Sequence, residues 1–456
     1  MRVTLVNPNY DEPRVLKFMG LPSIPIGLAY VAATLEQAGH EVKVVDAFGF
    51  KYNVEKTVEE AIKTDPEFIG ISCVTCNIDY GKQIAEKLRA RFPVAIGGTM
   101  PSLEPDTLVD YADYIMYGEG EKTFVELLSG KDPQEIDGLM FKKDGKVIKT
   151  NPRIPEENLD SIPFPARHLF PMHKYKLFGP MSMATMMTSR GCPMTCNYCS
   201  ISHLFPSWRG RSAKNVVDEM EFLIEQYKVK GISFVDEDFL VDLPRALEIC
   251  DEIENRNLKV WWGMQTRADR VPDLETMKRF NRAGCECLLF GIESVQEKTM
   301  KNLNRDISND LFFRAVKLGR DSRMRVAVSS ILGFPGETIA DAKATVSFVL
   351  KLDPDYVFFG VPTPFPGTRF YESCEQKGLI KEKNLLRYTI MSPILETEEI
   401  KLADGKKLLN YAYRKFYFRP IKMLQRVASE VKKLDKETFK GFFKWSFDGF
   451  FDSQKW

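Results

Sequence analysis

Ser189-Arg190-Gly191-Cys192-Pro193-Met194-Thr195-Cys196-Asn197-Tyr198-Cys199 sets three cysteines at the spacing C-x3-C-x2-C. The stretch follows directly on residues 184–188 (ATMMT), which read as a strand. Three thiolates on one tight loop can each hold one iron of a [4Fe–4S] cubane. With no fourth cysteine in the motif, one iron stays open to a further ligand. A zinc loop is the other reading. Zinc takes four ligands in a structural site, and His203, four residues past Cys199, could be the fourth.

Working outward, a βα series runs from about residue 183 to 378. Its strands read as 184–188, 231–235, 260–266, 287–291, 326–332 and 356–361. Six βα units on parallel strands predict a partial (β/α)6 barrel of the TIM type, with its chemistry at the C-terminal strand ends. Polar motifs fall there in order. Val235-Asp236-Glu237-Asp238-Phe239 follows the second strand and Gln265-Thr266-Arg267-Ala268-Asp269 ends the third. Gly291-Ile292-Glu293-Ser294 ends the fourth, and Leu332-Gly333-Phe334-Pro335-Gly336-Glu337-Thr338 the fifth. Thr363-Pro364-Phe365-Pro366-Gly367-Thr368 follows the sixth. One acidic residue after a strand is usually a helix N-cap; the ordered set carries more.

Ahead of the barrel, residues 1–125 alternate strands (2–7, 41–46, 68–72, 93–96, 113–116) with helical patterns (27–38, 54–63, 79–91). A last helix is opened by Gly118-Glu119-Gly120-Glu121. Regular βα alternation predicts an α/β fold with a doubly wound, Rossmann-like parallel sheet, whose strand ends form a crevice. No G-x-G-x-x-G and no Walker loop is present, so dinucleotide binding is poorly supported. Residues 138–148 read as a hairpin around Asp144-Gly145, and 151–171, with five prolines, as a linker. The expected domains are 1–137, a linker 138–180, the barrel 181–379 and a helical C-terminal region 380–456.

A chain of 456 residues implies two or three domains. Its net charge of +1 creates no whole-chain field for nucleic acid. The N-terminus does not read as a signal peptide, and no run of ~18 apolar residues occurs, so a cytoplasmic protein is expected. The nine cysteines are unevenly clustered and read as reduced thiols and metal ligands. Cys73 and Cys76 form a C-x2-C pair, readable as a redox or metal pair or as small residues lining the crevice. Cys285 and Cys287 share one strand face and read as packing; Cys250 and Cys374 read as structural.

The cysteine loop, Tyr198 before its third cysteine and the ordered strand-end motifs resemble the radical S-adenosylmethionine (SAM) superfamily. The resemblance covers most of 181–379. It implies that Cys192, Cys196 and Cys199 ligate the cluster, with Tyr198 beside it, and that SAM binds the open iron. An electron from the cluster into the sulfonium would release a 5′-deoxyadenosyl radical; the cofactors supply this chemistry and the protein positions them. By the same resemblance Glu237 and Asp238 meet the SAM amino group and Arg267 pairs with its carboxylate. Glu293 and Ser294 would lie toward ribose or methionine, and Gly333 would let backbone approach adenine.

The first domain resembles the cobalamin-binding domain of B12-dependent radical SAM proteins. The matching pieces are Asn7-Pro8, residues 22–29 (PSIPIGLA), Asp46, Gly97-Gly98-Thr99 with Pro101, and Gly118-Glu119-Gly120-Glu121. This implies a cobalamin site built from Asn7, Pro8, Ser23, Ile26, Gly27, Asp46, Ser72, Thr75, Gly97, Gly98, Thr99, Gly118, Glu119 and Gly120. Many such domains carry Asp-x-His-x-x-Gly after strand one. The corresponding loop here, residues 9–21, has no histidine, and His40 reads as a solvent-facing turn residue. Base-off cobalamin without a histidine ligand is therefore implied.

Together these resemblances imply a B12-dependent radical SAM enzyme. The first expectation is a methyltransferase moving methyl from methylcobalamin to an unactivated carbon, or phosphorus, of a small molecule or lipid. The chemical alternative is a non-methylating relative that cyclises or ring-contracts its substrate. The alternative of another class is a non-catalytic corrinoid or Fe–S carrier, which the full set of SAM motifs opposes. An RNA methylthiotransferase is disfavoured, because extra N-terminal cluster cysteines and a small C-terminal β-barrel are not evident. An electron donor such as ferredoxin or flavodoxin is implied, and no nucleic acid. Residues 401–456 hold fourteen Lys/Arg against six Asp/Glu, with thirteen aromatics. Residues 411–420 (YAYRKFYFRP) resemble a stretch found near the C-terminus of many B12-binding radical SAM proteins and are expected to cap the open side of the barrel. Residues 439–451 (FKGFFKWSFDGFF) read as an interfacial anchor or a lid over a lipid-like substrate, with peripheral membrane contact, or as a helix packed on the domain surface.

Overall fold

The computed structural model describes residues 1–10, 23–175, 183–205 and 207–419. Strand β1 (Arg2–Asn7) is buried from Val3 onward, as befits a central strand covered on both faces. It lies between β2 (Glu41–Asp46) and β3 (Phe68–Ser72), and β4 (Val94–Gly97) and β5 (Tyr114–Met116) continue the parallel sheet. Helices Ile26–Gln37 and Gly120–Leu128 pack on one face, Val54–Lys63 and Ile78–Arg89 on the other. The strand order reverses between β1 and β3. Loops leaving those strands diverge and open a crevice at the C-terminal edge.

The hairpin expected at 138–148 forms, as β6 (Leu139–Lys143) and β7 (Lys146–Lys149), but it does not belong to a linker. β6 pairs antiparallel with β5 and extends the first sheet to seven strands. Leu139, Met140 and Phe141 need cover, and the sheet edge buries all three. Asp144 and Gly145 both take positive φ, as a two-residue hairpin turn requires. The proline-rich stretch that follows is irregular but anchored. Arg167 is buried, donates to the Thr185 carbonyl and pairs with Glu219 Oε1 at 2.8 Å, while Arg211 takes the other oxygen.

After β8 (Met183–Met186) comes a short antiparallel ribbon, β9 (Ser189–Arg190) with β10 (Arg209–Gly210). Five more parallel strands follow, β11 (Gly231–Phe234), β12 (Trp261–Thr266), β13 (Cys285–Glu293), β14 (Arg325–Ile331) and β15 (Tyr356–Gly360). With β8 they form one six-stranded sheet in chain order, edged by β8 and β15. This is the open half-barrel read from the sequence.

The edge of β15 is covered by helix Leu402–Tyr417. Tyr413 Oη donates to the Phe359 carbonyl at 3.0 Å and accepts from its N–H at 3.1 Å. Tyr417 Oη does the same to Val357 at 2.9 and 3.1 Å. Two side-chain hydroxyls thus satisfy backbone groups that an edge strand leaves open. Residues 380–401 are not helical as expected. They form a strap with a 3-10 turn at Leu385–Arg387 and an antiparallel bridge between Ile380 and Leu395; Pro393 cannot sit inside a helix without breaking it. The aromatic stretch 439–451 lies outside the described residues. Among those described, no helix is long and apolar enough to cross a membrane.

Candidate functional site

The cysteine loop leaves β9 through Gly191, at φ +89. A Cβ there would fall 2.3 Å from the Ser207 carbonyl oxygen, so the turn demands glycine. Three barrel units pin the loop. From the second, Asp236 accepts from the Thr188 N–H at 2.7 Å and from the Thr188 and Ser189 hydroxyls, while Glu237 Oε2 accepts from the Gly191 N–H at 3.2 Å. After the fourth strand, the Leu303 carbonyl accepts from the Asn197 N–H at 3.0 Å, and Asn304 donates to Thr195 Oγ1 at 2.7 Å. After the sixth, the Phe370 N–H donates to the Asn197 carbonyl.

The loop brings its three cysteines together. Cys199 lies within electrostatic reach of Cys196 and Cys192, and burial pushes its thiol up to about 11. Burial raises Cys192 as well, with Asp238 and Arg267 among its charged neighbours. Such thiols stay protonated near neutrality until a metal displaces the protons. Among the described residues, no three His, Cys, Asp or Glu side chains converge as ligands of a single ion must. Cubane ligands sit on three different irons and need not converge on a point. Three thiols on one loop within electrostatic reach of one another fit a three-cysteine cluster. Cys250 and Cys374 lie in apolar cores, as expected.

The residues expected around SAM gather at the neighbouring strand ends. Arg267 is 6% exposed. Asp269 holds its Nε and Nη2 at 3.0 and 2.9 Å, leaving Nη1 buried without a hydrogen-bond partner. A buried guanidinium N–H left open in this way fits an anionic ligand. Asp238 is fully buried, accepts from Thr266 Oγ1 at 2.7 Å and pairs with Arg270 at 2.8 Å. Burial pushes Glu237 up to about 7. Glu293 sits at a bulge in β13 with φ +61, a conformation uncommon outside glycine. Its Oε1 accepts from Tyr198 Oη at 3.1 Å and faces Arg305 at 3.7 Å.

Ser294 and Gly333 differ from expectation. Ser294 Oγ donates to Glu337 at 2.5 Å, and the Gly333 and Phe334 N–H groups donate to the other Glu337 oxygen at 3.2 Å. Both are engaged inside the protein by Glu337, and Gly333, at φ +87, serves the turn after the fifth strand. The sequence reading passed over Glu337, Asp236 and Arg305. The first two stood inside quoted motifs, and only burial marks them out.

In the first sheet, Asn7, Asp46, Ser72 and Gly97 end β1 to β4, and Gly118 follows β5, so one edge carries them all. Pro8, Thr75, Gly98, Thr99, Glu119 and Gly120 continue from those ends, while Ser23 precedes and Ile26 and Gly27 open helix Ile26–Gln37. Gly97 and Gly118 leave room: a Cβ at Gly97 would meet only Met116, at 3.6 Å or beyond, and one at Gly118 nothing within 4 Å. Open glycines on a crevice edge fit a bulky ligand. His40 precedes β2, at the opposite end of the strands. Four expected contacts have other work. Asp46 accepts from Asn7 Nδ2 at 2.8 Å, the Gly49 N–H at 3.1 Å and Tyr175 Oη at 2.6 Å, so Asp46 and Asn7 form a buried brace. Glu119 is engaged by Arg190 and Arg209. Gly98, at φ +113, would place a Cβ 2.4 Å from the Cys73 carbonyl oxygen, so it is required by the protein's own backbone. Cys73 is buried, with Gly81 packed over its sulfur, and burial pushes Cys76 up to about 11. Neither is a reactive thiol.

The chain matches the family model of the B12 binding domain over residues 17–128 and that of the Radical SAM superfamily over 186–349. It is 31% identical over 455 residues to an uncharacterized methyltransferase of Pyrococcus horikoshii, covering 97% of this chain and 98% of that protein. It is 26% identical over 435 residues to the anaerobic magnesium-protoporphyrin IX monomethyl ester cyclase of Rubrivivax gelatinosus, covering 91% and 77%. A solved structure of the radical S-adenosylmethionine methyltransferase TsrM of Kitasatospora setae, with cobalamin and [4Fe–4S] cluster bound, shares the fold. Its TM-score is 0.69 at 20% identity, over 91% of this chain and 88% of that one.

Proposed function

The chain belongs to the B12-binding radical SAM family, and we propose from that premise that it is a cobalamin-dependent methyltransferase acting on an unactivated carbon, or phosphorus, of a small molecule or lipid. One observation carries this reading furthest. Helix Ile201–Leu204, two residues past Cys199, packs against helix Thr99–Leu103, which leaves the crevice edge at Gly97-Gly98. Gly367, after the sixth barrel strand, sits on Leu103 from the same side. The segment that follows the cysteine loop thus packs directly on the segment that leaves the crevice edge, which sets the two candidate sites side by side, an arrangement that a passive carrier does not need.

When bound, the cluster with SAM supplies radical formation and cobalamin supplies a methyl carrier. The chain's own residues bind and orient. Cys192, Cys196 and Cys199 hold iron. Arg267, aligned by Asp269, takes a carboxylate on its open Nη1. Asp238 and Glu237 accept from an ammonium group. Tyr198, Glu293 and Arg305 brace the loop from the strand-four bulge. Ferredoxin or flavodoxin is the kind of electron donor required, and a reducing compartment suits the free thiols. Similarity to the Rubrivivax cyclase supports a second reading, cyclisation without methyl transfer. The methyltransferase reading is preferred because the Pyrococcus relative is more similar and matches along nearly the whole chain.

The test is anaerobic reconstitution with iron, sulfide and hydroxocobalamin, then SAM and reductant, with products read by mass spectrometry. A methyltransferase forms S-adenosylhomocysteine as well as 5′-deoxyadenosine. 5′-Deoxyadenosine alone leaves the cyclase reading, and neither product leaves a carrier.

Arg267→Ala is expected to weaken SAM binding by about 1.5–3 kcal/mol, the worth of a hydrogen bond to a charged group. Iron content stays at the wild-type level, because Arg267 holds none of the loop. Equilibrium binding of SAM to the reconstituted protein reads the effect, and unchanged affinity would place Arg267 outside the SAM site.

A further inference from the structure

We propose that Arg190 is a positioning residue: gripped by Glu119 and Glu121 of the first domain, it fixes the cysteine loop in register with the crevice. The proposal rests on the reading that the crevice holds cobalamin.

Arg190 stands two residues before Cys192, yet its guanidinium serves the other domain. It is 5% exposed. Nη2 pairs with Glu121 Oε1 at 2.6 Å, and Nη1 with Glu119 Oε1 at 3.3 Å. Its carbon lies 5.2 Å from the ring centre of Tyr30, on helix Ile26–Gln37. Arg209, the partner of Arg190 across the β9–β10 ribbon, pairs with the same Glu119 Oε1 at 2.6 Å. Glu119 Oε2 accepts in turn from the Glu156 N–H at 3.1 Å. The turn at the end of β5 therefore presents two carboxylates to two arginines that flank the cysteine loop on its incoming and outgoing strands.

Buried ion pairs add little stability over apolar packing of the same volume, so adhesion alone does not explain four buried charges. They do confer direction. A guanidinium is a rigid planar fork, and two carboxylates on its edges set one orientation. What lies on either side explains the need for it. The loop holds the cluster ligands, the turn borders the crevice, and a displacement of about 1 Å between reacting groups can cost 10²-fold in rate. Glu119 and Glu121 are thus better read as a grip on the barrel than as cobalamin contacts, while Gly118 between β5 and them stays open toward the crevice.

The test compares wild type, R190Q and R190K as reconstituted holoenzymes. Iron and cobalamin contents are expected to match wild type in both variants. Pulsed dipolar EPR then reads the separation of cob(II)alamin from the reduced cluster. R190Q is expected to replace one narrow separation by a broad distribution, shifted by about 1 Å or more. R190K recovers part of the narrowing, because an ammonium keeps the charge without the fork. An unchanged separation in R190Q overturns the proposal. So does loss of iron from R190Q, which would make Arg190 a residue of the loop's own fold. If wild type binds no cobalamin, the crevice reading fails by itself and hydrogen exchange decides on Arg190. Residues 114–121 and 187–211 are expected to lose protection together in R190Q; loss confined to 187–211 overturns the proposal.

Discussion

Replacing Cys192, Cys196 and Cys199 together by Ala is expected to abolish the broad visible absorption of the cluster and all 5′-deoxyadenosine formation. On the proposed assignment each thiolate would hold one iron, and a cubane without protein ligands would have no other anchor on this loop. The fold is expected to survive, because Asp236, Asn197 and Asn304 pin the loop through groups the substitution leaves alone. Circular dichroism therefore stays unchanged while iron falls to background. Single Cys250→Ala and Cys374→Ala variants keep the cluster, since both thiols sit in apolar cores away from the loop. Cleavage of SAM by the triple variant would sink the central assignment.

The second large effect concerns cobalamin. The reconstituted wild type is expected to carry about one cobalamin, and Gly97→Val to carry almost none. Gly97 ends β4, and a Cβ there meets only Met116, at ordinary contact distance, so the protein is expected to tolerate a branched side chain that takes up room at the crevice edge. Gly98→Val is the wrong probe, because its side chain strikes the Cys73 backbone and would damage the domain whatever the crevice binds. Iron content in Gly97→Val stays at the wild-type level, as the cluster lies in the other domain. The cob(II)alamin EPR spectrum of wild type is expected to lack nitrogen superhyperfine splitting. If splitting appears, a histidine or the dimethylbenzimidazole tail base ligates cobalt and the base-off reading fails. Full cobalamin uptake by Gly97→Val would remove Gly97 from the site.

Both expectations were readable in the chain because their signals are local. The cysteine loop is eleven consecutive residues, and its thiols lie within electrostatic reach of one another because a tight turn has few conformations. The strands were readable for the same reason: a short β-branched run such as residues 2–7 (RVTLVN), ended by Pro8, reads as a buried parallel strand. Strand order in the half-barrel followed from chain order, since each right-handed βα unit sets its strand beside the last.

What the sequence by itself determined, then, is the pair of βα folds, the place of the cysteine loop after the first barrel strand and the set of strand ends that border the two candidate sites. Each of these depends on residues close in the chain, where periodicity and turn geometry act directly. Tertiary structure alone decided which polar residues at those ends are open and which are engaged. Glu121 and Arg190 are 69 positions apart, and Asp46 and Tyr175 are 129. No local pattern announces such pairs. Burial makes them form, because a charge or hydroxyl removed from water must find a partner wherever the fold supplies one. Arg267 Nη1 departs from that rule within the protein, buried without a partner and so open to a ligand. The same rule recruited Tyr413 and Tyr417 to the β15 edge, where unpaired backbone groups lay within reach of the tail helix.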